Sequence, residues 1–342
     1  MMSPKPEPEG RTEVTPLRPP FDPELAALLP GIRQAMGTAG PESLGQMRQA
    51  MDEGVPGVAP PDLTAGGRLR IEDIAVPESQ GSPGLILLVA TPSEGSGPWP
   101  CIYHIHGGGM VTGNRRTGFE QFAPIAAEQG AVIVSVEYRL APENPDPAPV
   151  SDCYQGLLWT ARNAPSLNID PARIMITGSS AGGGLAAGTA LMARDHGFPR
   201  LSHQILMYPM LDDRALTVSS RMLQGEGVWT AAENDFGWTS LLGERRGSPD
   251  VSPYAAPARA TDLRGLPRTF LDCGSVDTFR DEVLDYARKL SAAGVSVDLH
   301  LWGGGFHGFD VMAPHTAISQ SAIAAREDFI KRALKRCPPD AT

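Results

Sequence analysis

Gly178-Ser179-Ser180-Ala181-Gly182 fits the pattern G-x-S-x-G in one register only. Centring it on Ser179 would require glycine at 177 and 181, where Thr177 and Ala181 stand. An apolar run, RIMITG (173–178), precedes Ser180, and a small-residue helical pattern, LAAGTALMA, follows it. That context describes a sharp strand-to-helix turn, whose small flanking residues let the backbone close up and present a strained serine as a nucleophile. The rival readings are a glycine-rich packing turn or a phosphate loop. GSSAGGG has neither the P-loop lysine nor the G-x-G-x-x-G spacing that the phosphate reading needs.

A serine nucleophile needs an oxyanion site, a base and an orienting acid. His106-Gly107-Gly108-Gly109 closes another apolar run, CIYHIH (101–106). Successive N–H groups of such a glycine loop can converge on a developing oxyanion, with the N–H of Ala181 as their complement. When the serine sits on a strand-to-helix turn, the acid and then the histidine follow it along the chain. Five histidines follow Ser180. His300 alternates within a strand pattern, and His196, His203 and His315 lie beside helix or strand ends. His307 sits in Gly303-Gly304-Gly305-Phe306-His307-Gly308-Phe309, read as a loop past the last strand, from which an imidazole reaches over the sheet. Asp277 follows RTFLDCG (268–274) by a short loop and is the expected acid; its rival reading is a helix N-cap. Asp281 and Glu282 fall in the first turn of the next helix, where they suit its dipole, and Asp272 lies inside the strand.

The elements that would hold these residues are eight short runs separated by turn residues. They are RLRIEDIAV (68–76), GLILLVA (84–90), CIYHIH (101–106), AVIVSVEY (131–138), RIMITG (173–178), QILMYP (204–209), RTFLDCG (268–274) and VDLHLW (297–302). The first two read as an antiparallel hairpin. Helical patterns over 117–129, 150–163, 180–194, 279–293 and 315–335 then alternate with strands, which predicts an α/β fold with a mostly parallel sheet covered on both faces. Residues 1–20, rich in Pro and Glu, are expected to be disordered. Residues 21–60 and the insertion 213–262 are expected to form helical segments over a domain made of 61–212 and 263–342.

The chain has 342 residues and a formal net charge of −10, which argues against a nucleic-acid partner. No apolar run approaches the roughly 20 residues of a membrane span, and the N-terminus lacks the apolar core of a secretory signal. Cys101, Cys153, Cys273 and Cys337 are far apart, without metal-ligand spacing, and read as reduced thiols in a cytoplasmic protein.

HGGG, GxSAGG, a downstream Asp and HGF together resemble the bacterial hormone-sensitive-lipase-like esterases of the α/β-hydrolase superfamily. EYRLAPE (137–143), YPMLDD (208–213), VDTFRDEVLDYARKLSAAGV (276–295) and GGFHGF (304–309) add to the likeness, which runs from about residue 68 to 310. It implies an eight-stranded α/β-hydrolase fold with a helical cap built from 21–60 and 213–262. It also implies Ser180 as nucleophile, His307 as base and Asp277 as acid, with Gly108, Gly109 and Ala181 as oxyanion donors and Gly107 beside them. Relatives often pair through the edge strand, here 297–302, so a homodimer is expected. The chain departs from the family at Ser179, where Asp or Thr is common, and at Asp277-Thr278-Phe279, where Asp-Pro-Leu is usual. Ser179 is expected to support the turn by hydrogen bonding. The implied activity is hydrolysis of carboxylic esters without metal or organic cofactor, with an apolar pocket from Met110, Trp229, Phe236 and Trp238 favouring short to medium acyl chains. Two alternatives stand beside it: amide, carbamate or lactone hydrolysis on the same triad, and a non-catalytic small-molecule-binding homologue.

Overall fold

The computed structural model describes residues 17–54, 59–78 and 83–335. Helices α1 (Pro23–Met36) and α2 (Leu44–Glu53) precede the strands β1 (Leu69–Val76), β2 (Leu85–Pro92) and β3 (Trp99–Ile105). Then follow α3 (Ala123–Gln129), β4 (Val132–Glu137), α4 (Ala148–Arg162), β5 (Ile169–Ser179), α5 (Ala181–Asp195) and β6 (His203–Met207). The insertion carries α6 (Ser219–Met222) and α7 (Ala231–Leu242). The chain ends in β7 (Arg268–Val276), α8 (Arg280–Ala292), β8 (Val297–Phe306), α9 (Phe309–Met312) and α10 (Ala317–Leu334).

One eight-stranded sheet has the order β1-β2-β4-β3-β5-β6-β7-β8. β1 and β2 pair antiparallel, β2 runs antiparallel to β4, and every later pairing is parallel. The register is continuous across it: Glu72, Val89, Val134, Tyr103, Ile176, Gln204, Thr269 and Val297 form one row. Leu87 to Ala90, Ile102, Val132 to Val134, Ile176 and Ile205 are fully buried. A strand covered on both faces needs such unbroken apolar runs rather than alternation. The eight-stranded, mostly parallel sheet flanked by helices is the architecture the sequence predicts.

Three elements differ from expectation. The helical pattern over 117–129 splits into a 3-10 turn, Phe119–Gln121, and α3. The last helix starts at Ala317, with the short α9 ahead of it. Gly303 to Gly305, expected as a loop, continue β8, and Phe306 pairs with Val276 across an irregularity in β7. The cause is close approach: a β-carbon on Gly274 would run into the carbonyl of Gly305, so only glycine lets the two strands come together there.

Of the segment expected to be disordered, residues 1–16 lie outside the described residues. Arg18 pairs with Glu226 at 2.7 Å and lies over the Phe21 ring, so the disorder expected up to residue 20 does not hold for this residue. Residues 17–54 meet the insertion at further points. Arg33 donates to the Gly227 carbonyl, and Glu233, which also completes the capping box of α7 with Thr230, accepts from the Ala39 amide at 3.4 Å. Among the described residues no helix is long and apolar enough to cross a membrane.

Candidate active site

Four functional segments begin one residue beyond a strand end. β3 ends at Ile105 before His106, β5 at Ser179 before Ser180, β7 at Val276 before Asp277, and β8 at Phe306 before His307. Parallel neighbours end at the same edge of a sheet, so these residues converge there although 127 positions separate Ser180 from His307.

Ser180 holds φ 57°, ψ −125°, a left-handed conformation that non-glycine residues avoid. The fold over-determines it: the Ser180 amide donates to Met207, and its carbonyl accepts from Gly184 and Met210. Gly182 is required by contact, since a β-carbon there would strike the carbonyls of Ile105 and His106. The Ser180 hydroxyl donates to Nε2 of His307 at 2.9 Å, and Nδ1–H of His307 donates to Oδ2 of Asp277 at 2.9 Å. A carboxylate only accepts, so the proton sits on Nδ1 and Nε2 is left as a base. Asp277 is fully buried, and its other oxygen accepts from the Phe279 amide at 2.9 Å. Asp277 is not the N-cap of α8, which is Phe279 without a side-chain cap; its second oxygen instead holds the turn that leads into that helix.

The glycine loop packs against the serine. A β-carbon on Gly107 would stand 3.2 Å from Ser179 Oγ and 3.4 Å from Ser180 Cβ. The turn is closed on itself by the Gly108 carbonyl, which accepts from the amides of Val111 at 3.0 Å and Thr112 at 2.9 Å. Among the described residues the amides of Gly108, Gly109 and Ala181 donate to no backbone carbonyl in turns and loops. His106, ahead of the loop, is buried and stacks on Tyr138 with centroids 4.1 Å apart, while its Nδ1–H donates to the Gly107 carbonyl at 2.8 Å. Burial pushes its pKa down to about 4, so it is neutral and structural.

Ser179 does not support the turn as expected. Its hydroxyl makes no hydrogen bond among the described residues and faces Gly107. Asp272 is also accounted for otherwise: it pairs with buried Arg326, which also binds Asp310 at 2.6 Å. Glu282 falls in the first turn of α8, as expected. It is buried, accepts from the Leu211 amide at 2.7 Å, and burial raises its pKa well above the carboxylate range. Asp281, in the same first turn, accepts from the Ser219 amide at 2.8 Å.

The aromatic surroundings of His307 differ from the expected pocket set. Tyr208 and Phe279 stand edge-on to its ring at 4.9 and 5.1 Å, and Trp229 tilts over it at 6.3 Å. Trp229 also closes on Gly109, held at φ 55° while its carbonyl accepts from the Thr278 hydroxyl at 2.6 Å. Met110 is buried directly after the loop. Trp238, like Met110, is wholly buried in the central core, and Phe236, like Trp229, packs against it. Tyr208 and Phe279 could have been found from position alone, since each lies within two residues of a strand end or of the acid.

A family model described as alpha/beta hydrolase fold matches residues 102–311. A carboxylesterase of Mycobacterium tuberculosis is 32% identical over 328 residues, covering 94% of this chain and 99% of that protein. Among solved structures, a bacterial heroin esterase superposes with a TM-score of 0.84 at 38% identity, covering 92% of this chain and 98% of its own. An esterase from the archaeon Pyrobaculum calidifontis superposes with a TM-score of 0.79 at 31% identity, again over 92% of this chain and 98% of its own.

Proposed function

The chain belongs to the hormone-sensitive-lipase-like carboxylesterases of the α/β-hydrolase superfamily, and from that premise we propose that it cleaves carboxylic esters through an acyl-enzyme on Ser180. The observation that carries this reading is the unbroken relay Ser180–His307–Asp277, with both links at 2.9 Å. During attack on the ester carbonyl, Nε2 of His307 takes the Ser180 proton and then gives it to the leaving alcohol. Water activated by the same nitrogen then releases the acid and restores the serine. Asp277 fixes the tautomer and faces the imidazolium formed in each half-reaction. The amides of Gly108, Gly109 and Ala181 are the oxyanion donors of this reading, with Gly107 setting their distance from Ser180. No step of this sequence calls on a metal or organic cofactor. Trp229 closing on Gly109 supports a small acyl site and hence short to medium chains. Of the expected cap, residues 21–54, 59–60 and 213–262 carry it in this reading, and residues 55–58 lie outside the described residues.

Ser180→Ala should abolish turnover of p-nitrophenyl acetate and labelling by a fluorophosphonate while the thermal melt stays within a few degrees of wild type. Retained labelling would move the nucleophile elsewhere. A panel of p-nitrophenyl acyl esters against the matching anilides sets the bond type; faster anilide cleavage would replace esterase by amidase. A cytoplasmic location is supported by Cys101, Cys153 and Cys273, which are buried free thiols whose pKa burial raises. Homodimerisation through β8 is supported by its position at the sheet edge and by Leu299 and Leu301, 41% and 45% exposed. Sedimentation should give twice the monomer mass, and Leu301→Arg should halve it; a monomeric wild type would remove this part of the reading.

A further inference from the structure

Helix α2 reaches the glycine loop through one side chain. Nε of Arg48 donates to the Val111 carbonyl at 2.7 Å, and Nη2 donates to the Ala141 carbonyl at 2.8 Å. Nη1 and Nη2 also meet the two carboxylate oxygens of Glu143, each at 2.8 Å. The two carbonyls belong to segments already joined, because the Ala141 amide donates to the Met110 carbonyl at 2.9 Å. The guanidinium therefore ties the far end of the turn 107–112 to the segment at Ala141, and the same turn carries the Gly108 and Gly109 amides assigned above as oxyanion donors. A planar fork with five fixed donors suits this task, since it binds two carbonyls and a carboxylate without rearranging. The Arg48 side chain is only 27% exposed, which shields its carbonyl bonds from competing water.

We propose that Arg48 is a positioning residue for ester hydrolysis, bridging the carbonyls of Val111 and Ala141 so that the oxyanion donors of the 107–112 turn stay at working distance from Ser180. The proposal rests on the reading of that turn given above. Oxyanion donors act within a narrow range, about 2.7–3.1 Å from the oxygen they stabilise, so an outward shift of the turn weakens the transition state. The ground-state ester, held mainly by the walls of its pocket, loses much less. A residue that only docked the cap would do the reverse, loosening the pocket and raising KM.

The test measures kcat and KM for p-nitrophenyl acetate, and inhibition by a trifluoromethyl ketone whose hydrate mimics the tetrahedral intermediate. In Arg48→Met, kcat should fall about tenfold or more with KM within about twofold, and inhibitor affinity should fall by a similar factor. Arg48→Lys should recover part of the loss, because an ammonium reaches one carbonyl well and not two. It carries the test by itself if the methionine variant does not fold. Arg33→Met breaks the contact of α1 with Gly227 and leaves the glycine turn alone, so its kcat should match wild type. An unchanged kcat in Arg48→Met, a rise in KM alone, or the same kcat loss in Arg33→Met would overturn the proposal. A wild type that neither turns over the ester nor takes the fluorophosphonate label would instead overturn the esterase reading, and this proposal with it.

Discussion

Asp277 divides its two oxygens between two tasks, one toward Nδ1 of His307 and one toward the Phe279 amide. That division makes Asp277→Asn informative. The amide oxygen of Asn can still accept from the Phe279 amide, so the fold should persist. Its NH2 would then face His307, drive the ring proton from Nδ1 to Nε2 and point an N–H, not a lone pair, at Ser180. We expect kcat to drop by about 10⁴ with an unchanged circular dichroism spectrum, the scale seen when a triad carboxylate becomes an amide. Retention of even a tenth of the activity would mean that another group orients the histidine. The proposed triad was legible in the sequence because each member lies at or shortly after the end of an apolar run, and those ends are marked by glycine. Arg48 was not legible: one arginine on an amphipathic helix reads as a solvated face until the fold brings the carbonyls of Val111 and Ala141 to it.

At the scale of elements, the turn from β5 to α5 works only because it lies against the end of β3. A methyl at Gly182 would meet two backbone carbonyls, which cannot move without opening the sheet. Gly182→Ala should therefore cost more than about 3 kcal/mol and leave little soluble enzyme, by overpacking against rigid atoms. Gly45 is the contrast, lying inside α2 with nothing near its would-be β-carbon. Gly45→Ala should stabilise by about 0.5–1 kcal/mol, seen as a higher melting temperature, because it removes freedom from the unfolded chain and none from the helix. If both variants melted alike, the close approach at the serine turn would not be what selects glycine there. The glycine triplet of β8 shows the limit of reading elements from sequence. Gly303 to Gly305 carry every local mark of a loop, yet close pairing with Gly274 makes them strand. Only the partner strand, far away in the chain, supplies that information.

Across the whole molecule, the strand count could be read from periodicity, but the order of the strands could not, since nothing local tells β2 to pair with β4 and leave β3 inside. That placement has a consequence for acid stability. It buries His104 and His106 completely, one bonded to Ser135 at 3.0 Å and the other stacked on Tyr138. Burial lowers the His106 pKa to about 4 and that of His104 to about 3, against an unfolded value near 6.5. Between about pH 4 and 6.5 the unfolded chain binds protons that the folded chain refuses, so stability rises with pH through this window. The contribution is complete above about 6.5 and is lost as the solution is acidified, with His106 alone worth on the order of 3 kcal/mol. Urea unfolding at pH 7 and pH 5 should show the loss in the wild type. His106→Gln, which keeps an amide donor for the Gly107 carbonyl and does not titrate, should start less stable at pH 7 for want of the stacked ring. Its further loss between pH 7 and 5 should be smaller than that of the wild type. Equal losses in the two proteins would show that His106 takes up its proton without unfolding the sheet, and would shift the acid sensitivity to His104 or to the paired carboxylates.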